Sequence, residues 1–390
     1  MSINNQLAAM QEEYRTWRVV IVHDWLVVNG GAEKVLAALL KAFPQADVMT
    51  LVNFLPASEA AWLAPHRIVT SCLQRMPFAR RYYRHYLPMM SYAIEQFDLR
   101  GYDLVISSSH AVAKGVITHP GQQHICYCHT PMRYAWDMKE HYLENARFRL
   151  PLMETFVRKT LKRLRQWDYF GASQVDHFIA NSYNVAQRIS KYYRREASVL
   201  YPPVDIEQFV LNTEPRDDYY LAASRLVPYK RLDLIIEAFK ATPHRRLKIV
   251  GDGPEYARLA ALAEGHTHIE LLGYQPNEQL ITLMSQARGF IFAADEDFGI
   301  LPLEAQACGT PVIAYGKGGA LETVKDIHHG DTATGVLFEQ QSPASLLNAI
   351  EQFEEHHFQP QACRQQAEQF SYALFWQRLQ ILLGEVKRAD

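Results

Sequence analysis

The 390-residue chain contains no apolar run of the roughly 18 to 20 residues that a membrane span requires. Its opening, Met-Ser-Ile-Asn-Asn leading to Glu12 and Glu13, has neither a basic n-region nor an apolar core, so a secretory signal is not expected. Cysteine is scarce: Cys72, Cys126, Cys128, Cys308 and Cys363 are odd in number and scattered. Cys126 and Cys128 stand one residue apart inside an apolar run, which suits neither a zinc knuckle nor a redox Cys-x-x-Cys. Reduced, buried thiols of a cytoplasmic protein are the expectation. There is no low-complexity segment. Hydrophobic residues at 48% against 21% charged exclude global disorder and allow large cores. The length exceeds one ordinary core and points to two or three domains.

The net charge of -2 conceals a division. Residues 1–200 hold 24 Lys and Arg against 16 Asp and Glu, a surplus of +8, and the remainder carries -10. Halves of opposite sign suggest two domains with different partners. The basic half suits an anionic surface: phosphate, lipid headgroup or nucleic acid.

Along the chain, Arg18-Val-Val-Ile-Val-His23 reads as a buried strand, followed by Gly30-Gly31 and a helical pattern over Ala32–Phe43. The strand signal recurs at residues 102–107, 124–129 and 177–181. A second series follows Tyr201-Pro-Pro-Val-Asp205, at 219–224, 247–250, 269–272, 289–293 and 311–314. Apolar runs without alternation are what a parallel sheet covered on both faces produces. The predicted fold is α/β: two doubly wound Rossmann-like domains facing a central cleft. Residues 1–203 form the first domain and 204–369 the second. Residues 370–390 form a C-terminal helix that either packs on its own domain or crosses back to the first.

Ala294 to Pro311 is the stretch richest in chemistry. Glu296 sits in the loop after a strand, where ligands bind in open α/β sheets. Glu304 lies one turn inside a helix predicted to begin near Leu301. The amides of Asp297, Phe298, Gly299 and Ile300 line that helix's N-terminus, a natural anion site. Carboxylates accept from sugar hydroxyls, while amides and the helix dipole take phosphate. Taken alone, the stretch is equally an ordinary helix start with acidic residues complementing the dipole. Arg225 and Lys230, in another strand-to-helix loop, could clamp a diphosphate or form a solvated basic loop.

Together these residues resemble the retaining nucleotide-sugar glycosyltransferases of family four, which have the GT-B architecture. The resemblance covers essentially the whole chain. It rests on Glu296-x7-Glu304, on Ser224-Arg225 with Lys230, on Val250-Gly-Asp-Gly-Pro254, on Gly30-Gly31 and on His129. It implies that Arg225 and Lys230 hold the donor diphosphate and stabilise the departing nucleotide. Glu304 binds ribose hydroxyls, and Glu296 contacts the transferred sugar, supported by the amides near Phe298 and Gly299. Gly30, Gly31 and Gly251 contribute to donor binding through close backbone approach. His129 stands near the transferred sugar, and a hydrogen bond to a sugar hydroxyl is favoured over service as a base. The resemblance also implies a front-face reaction in which a leaving phosphate oxygen takes the acceptor proton. Asp297 departs from the family pattern, where Gly is usual, and adds a carboxylate beside the sugar contacts that the resemblance implies. Tyr201-Pro-Pro-Val-Asp with His129-Thr-Pro-Met-Arg-Tyr looks more like mannosyltransferases of bacterial surface polysaccharide assembly. The implied reaction moves mannose from GDP-mannose to a lipid-linked glycan. Glucosyl or galactosyl transfer from a UDP-sugar is the alternative. No Asp-x-Asp metal motif stands in a suitable loop, and with two cations to neutralise the leaving group no cofactor or metal is expected.

For the acceptor side, Arg75, Arg80, Arg81, Arg84 and His85 are interleaved with Phe78, Tyr82, Tyr83 and Tyr86. Residues 156–167 form a basic amphipathic helix with Leu161, Leu164 and Trp167 together. Such helices lie on anionic bilayers or pack their apolar side on the domain, and the second reading is preferred. The localisation expected is cytoplasmic, with peripheral contact at the inner membrane face. Two other classes fit less well. For an oxidoreductase, Gly251-Asp-Gly253 carries Tyr256 where the dinucleotide fingerprint needs its third glycine. Nucleic-acid binding has only the basic half behind it, with no module signature. A sugar-nucleotide-binding protein without activity is the non-enzyme reading.

Overall fold

A computed structural model describes residues 3–140, Leu143 and residues 151–389. The chain divides into two compact units, Met1–Pro203 with Phe375–Asp390, and Val204–Leu374.

The first unit holds a seven-stranded sheet in the order β3-β2-β1-β4-β5-β6-β7, every pairing parallel. Its strands are β1 (Val19–His23), β2 (Asp47–Thr50), β3 (Ile68–Thr70), β4 (Leu104–Ser109), β5 (Gln123–Cys128), β6 (His177–Ala180) and β7 (Ala197–Val199). All residues of β1 and β4 are buried, because helices cover both faces. The helix Gly31–Ala42 buries Val35, Leu36, Leu39 and Leu40 against this sheet, and Glu33 closes its N-terminus by accepting from the Gly30 amide at 3.0 Å. In the helix Pro151–Ala172, Leu161 and Leu164 join the core, and the Trp167 indole donates to Glu95 at 2.5 Å. The apolar stripe read from sequence as a possible membrane face thus packs on its own unit.

The last helix, Tyr372–Ala389, buries Trp376, Leu379 and Leu383, and the Trp376 indole donates to the Ala38 carbonyl at 3.0 Å. From Phe375 onward it belongs to the first unit, while Val204 bridges to Ser371 within the second. No helix among the described residues is long and apolar enough to cross a membrane.

The second unit holds a six-stranded parallel sheet in the order β10-β9-β8-β11-β12-β13. The strands are β8 (Tyr220–Ala223), β9 (Leu247–Val250), β10 (Ile269–Gly273), β11 (Gly289–Phe292), β12 (Val312–Tyr315) and β13 (Gly335–Phe338). Tyr220, Ile249, Ile291 and Ile313 meet Ile235, Phe239, Ile350 and Phe353 of the covering helices in one core.

Strands β2, β3, β7 and β13 have no counterpart in the sequence reading. The edge strands β3 and β7 are three residues each and half-buried throughout, whereas β2 and β13 carry short apolar runs, Val48-Met49 and Val336-Leu337-Phe338, too brief to stand out beside the longer ones. Of the cysteines expected to be buried, Cys72 is exposed; the other four are buried free thiols, and burial pushes Cys308 and Cys363 up to about 12.

Candidate functional site

In the six-stranded sheet the chain runs from β8 outward to β10, then returns to β11 on the other side of β8. This reversal opens a crevice beyond the carboxyl ends of β8 and β11. Both loops singled out from sequence leave from those ends. After β8 the chain makes a tight turn over Pro228–Lys230, and Arg231, at φ 56°, starts the helix Leu232–Lys240. After β11, residues 293–299 lead to the helix Ile300–Ala307, whose N-cap is Gly299 at φ 83°. Lys230 reaches across the reversal and its ammonium pairs with Glu296. Their side chains are 10% and 20% exposed, so the pair is sheltered while remaining reachable. Lys230 also lies over the Phe292 and Tyr229 rings at 5.7 and 5.6 Å. Arg225 is exposed, leaving its fork available to a ligand.

Glu304 is buried on the second turn of the helix that Gly299 opens. Burial raises the nearby Tyr372 phenol to about 12, with the carboxylates of Asp205 and Glu304 adding to the effect. Phe298 is buried against Phe370, ring centres 5.6 Å apart, which holds the loop carrying the Asp297–Ile300 amides.

Among the glycines required by close backbone approach, Gly251 and Gly319 bear directly on the site loops. A Cβ on Gly251, after β9, would stand 1.8 Å from the Ser224 carbonyl oxygen, so this glycine lets the β8 loop pass. A Cβ on Gly319 would stand 2.2 Å from the Phe298 Cα, and the Gly319 amide donates to the Glu296 carbonyl at 2.8 Å. The Gly318-Gly319 segment, absent from the sequence reading, therefore fixes the Glu296 loop. Its signal was the glycine pair following the β12 run.

Asp295-Glu-Asp297 does spell an Asp-x-Asp triplet, but Asp295 is paired with Lys317 at 3.3 Å. Among the described residues no group of three His, Cys, Asp or Glu is placed to hold a metal ion.

The first unit has its own reversal, between β1 and β4. Here Asp24, fully buried, accepts four backbone N–H bonds from one loop. Oδ2 takes His110 and Ala111 at 2.6 and 2.9 Å, and Oδ1 takes Val112 and Ala113 at 2.6 and 2.7 Å. The His110 ring faces the same carboxylate at 3.2 Å. Burial pushes the Asp24 carboxyl up, but His110, its backbone donors and His23 outweigh this, and the net displacement is downward. Burial also lowers His110, against the pull of Asp24.

His129, directly after β5, is 9% exposed, and its Nε2 lies 2.9 Å from the Ser108 hydroxyl. Burial holds it well below the usual histidine range, with His110 and His23 lowering it further, so the ring is neutral. The ring centres of His110 and His129 are 6.2 Å apart. Gly30 caps the Gly31–Ala42 helix at φ -108°, and Gly31 is exposed at its first turn; what they present is the helix N-terminus. His23, Asp24, Glu33, Ser108 and His110 were missed in the sequence. The available signal for His23, Asp24, Ser108 and His110 was their position at the carboxyl ends of two adjacent strands; Glu33 stands in the first turn of the helix that follows Gly30.

The sequence profile of glycosyltransferase family 4 matches residues 29–208, and that of the glycosyl transferases group 1 matches residues 204–370. Among curated proteins, an uncharacterised glycosyltransferase of Methanocaldococcus jannaschii is 25% identical over 228 residues, 58% of this chain and 63% of its own. The D-inositol 3-phosphate glycosyltransferase of Geodermatophilus obscurus is 30% identical over 208 residues, 46% of this chain and 45% of its own. The chain thus spans less than two thirds of either relative. Among solved structures, Anabaena HepE in complex with UDP aligns with a TM-score of 0.67 at 17% identity, covering 94% of this chain and 100% of that one. Sucrose-phosphate synthase from Thermosynechococcus elongatus gives 0.71 at 16% identity, covering 96% and 100%. These likenesses establish the fold: two parallel-sheet, Rossmann-like units of the GT-B glycosyltransferase kind.

Proposed function

We propose that this chain, whose two units match in turn the family 4 and group 1 glycosyltransferase profiles, transfers a hexose from a nucleotide-sugar donor to a hydroxyl of a glycan acceptor. The observation that carries the reading is the Lys230–Glu296 pair at the strand reversal of the second unit, with the buried Glu304 on the adjoining helix. A sheltered cation, an exposed Arg225 and loop amides at a helix N-terminus suit a diphosphate, while the two carboxylates suit hydroxyls.

In this reading Lys230 and Arg225 hold the diphosphate and stabilise the charge that grows on it as the sugar–phosphate bond breaks. Glu296, already oriented by Lys230, accepts from hydroxyls of the transferred sugar. Glu304 accepts from the ribose, and the amides of Asp297 to Ile300 support phosphate and sugar. The acceptor oxygen bonds to the anomeric carbon on the face from which the phosphate departs, and its proton passes to the departing phosphate oxygen. Configuration is therefore retained. Because two cations neutralise the leaving group, no divalent metal is required; activity abolished by chelator and restored by Mg²⁺ would oppose this.

The donor proposed is GDP-mannose and the acceptor a lipid-linked glycan in cell-surface polysaccharide assembly. Support comes from Tyr201-Pro-Pro-Val-Asp205 and the segment from His129 to Tyr134. A UDP-hexose is the second reading, favoured by the solved HepE complexes with UDP and with UDP-glucose. A lipid-linked acceptor would bring the protein to an anionic membrane from the cytoplasmic side. The surface expected to meet it bears Phe78, 80% exposed at φ 54°, with Tyr82, Met89, Tyr92 and the exposed Arg80, Arg81 and Arg84. Failure to bind anionic vesicles at low salt would remove that part.

The deciding experiment is a thermal-shift panel of GDP, UDP, ADP and their sugar conjugates. A ligand at a hundred times its dissociation constant stabilises by about 2.7 kcal/mol. A shift confined to GDP and GDP-mannose supports the mannosyl reading, and a UDP-selective shift replaces it. Silence from every nucleotide would overturn the transferase assignment.

A further inference from the structure

Trp25 follows Asp24 directly, and its ring meets two others that the chain supplies from elsewhere in the first unit. The His110 ring stands 4.6 Å from it between centres, at 89°, and the Tyr83 ring 5.6 Å away. Tyr83 opens the helical turn Tyr83–Tyr86 and is buried, and its hydroxyl accepts from Arg84 Nε at 3.0 Å. The Arg84 guanidinium carbon lies 5.4 Å from the same ring centre. Burial lowers His110 first of all, and Arg84 is close enough to lower it further. One patch beside the carboxyl ends of β1 and β4 thus holds two aromatic rings, an imidazole and a guanidinium.

Three of these groups keep a side for something outside the chain. His110 turns Nδ1 toward Asp24 at 3.2 Å, and its side chain is 25% exposed, whereas His23 and His129 are buried. A hydroxyl donates to a bare ring nitrogen or accepts from a protonated one, so this contact serves whichever nitrogen holds the proton. Trp25 is partly exposed. Arg84 is exposed and pairs with no carboxylate among the described residues, while Arg18, Arg67 and Arg100 of the same unit each stand within 3.6 Å of an aspartate. From residue 60 to residue 94 the chain has no Asp or Glu to compete for it. Tyr83 holds Arg84 through Nε, which leaves the terminal nitrogens to an anion. The same segment exposes Phe78 and Tyr82, at 80% and 41%, as apolar surface. A phosphate joins a sugar to an apolar chain, whereas a sugar carboxylate ends where it stands.

We propose that Trp25, His110 and Arg84 form a subsite for a sugar esterified to phosphate. The aromatic wall takes the C–H face of the sugar ring, His110 a hydroxyl, and Arg84 the phosphate. Phe78 and Tyr82 meet the apolar chain that the phosphate carries. In the transferase reading this ligand is the acceptor, and the inference rests on that reading for the role alone, since the subsite lies wholly in the first unit.

The test is calorimetric titration of the full chain with octyl diphosphate esters of glucose, galactose, mannose and N-acetylglucosamine, each against its octyl glycoside. At least one ester should bind, and its glycoside should bind roughly 10-fold to 150-fold more weakly, as the loss of one charge-assisted contact implies. Arg84→Gln should erase that difference. His110→Gln and Trp25→Ala should weaken ester and glycoside alike, and Trp25→Phe, which keeps a ring, should recover most of the loss. Lys230→Ala, which removes a cation of the second unit, should leave the preference unchanged. No ester binding, a preference that survives Arg84→Gln, or one that disappears in Lys230→Ala would overturn the subsite. A lipid headgroup presents the same phosphate chemistry, so pelleting with phosphatidylglycerol vesicles is the second arm. Vesicle binding lost in Arg84→Gln while the ester still outbinds its glycoside would assign the cation to the bilayer and overturn the proposal. Ester binding with silence from every nucleotide would condemn the transferase assignment and leave the subsite.

Discussion

Asp24→Asn is the substitution whose cost follows most directly from geometry. The fully buried carboxylate accepts four backbone N–H bonds, two at each oxygen, from the loop His110–Ala113. Asparagine keeps one oxygen and turns an amide NH₂ toward the other two donors. Two charge-assisted bonds are lost, each worth about 1.5–3 kcal/mol, so the first unit should lose about 3–6 kcal/mol. All six tryptophans lie in that unit, so their fluorescence during urea unfolding follows it without contribution from the second. The pH dependence gives a second reading. The Asp24 carboxyl is displaced below its ordinary 3.8, so the unfolded chain takes up its proton first as pH falls. Stability from this group is complete above that value and is lost as pH falls through the lower, folded-state value. The variant should be weaker at neutral pH and lack that acid limb. A loss under about 1 kcal/mol with the acid limb intact would refute the four-donor account.

Other outcomes follow from the same structure. Burial holds His124 at about 4 although a backbone bond at Gln174 opposes it, so the unfolded chain binds its proton more readily between the ordinary 6.5 and 4. Stability should fall across that window as pH drops, by about 3 kcal/mol in total, and His124→Gln should make the limb shallower in unfolding titrations. Lys230→Ala removes the cation aimed at the donor diphosphate and should cut kcat about 10²–10³-fold; Glu296→Ala should also cut turnover severely. Both should keep the wild-type circular dichroism, and near-native rates in both would sink the site assignment. Gly319→Ala places a methyl 2.2 Å from Phe298 Cα and should displace the Glu296 loop. The expected result is weaker nucleotide-sugar binding by calorimetry with the first unit's fluorescence melt unchanged.

The sequence by itself determined the two parallel sheets. Val19–Val22 and Phe290–Phe292 are uninterrupted apolar runs, and a strand buried on both faces leaves no alternation to confuse the reading. It also marked the loop ends at Arg225, Lys230 and Glu296, because a strand that stops before charged residues and a helix start shows its carboxyl end directly. The strands β3 and β7, three residues each and half-buried at a sheet edge, carry too little pattern to be read and owe their conformation to a neighbour's hydrogen bonds. Only the tertiary structure joined Lys230 to Glu296, 66 residues on, across a reversal that strand order alone creates. The same holds in the first unit. His23 and Ser108 are 85 residues apart, and neither type in isolation signals anything beyond a polar residue at a strand end. Register brought them into contact, and burial removed the water that would have satisfied each separately.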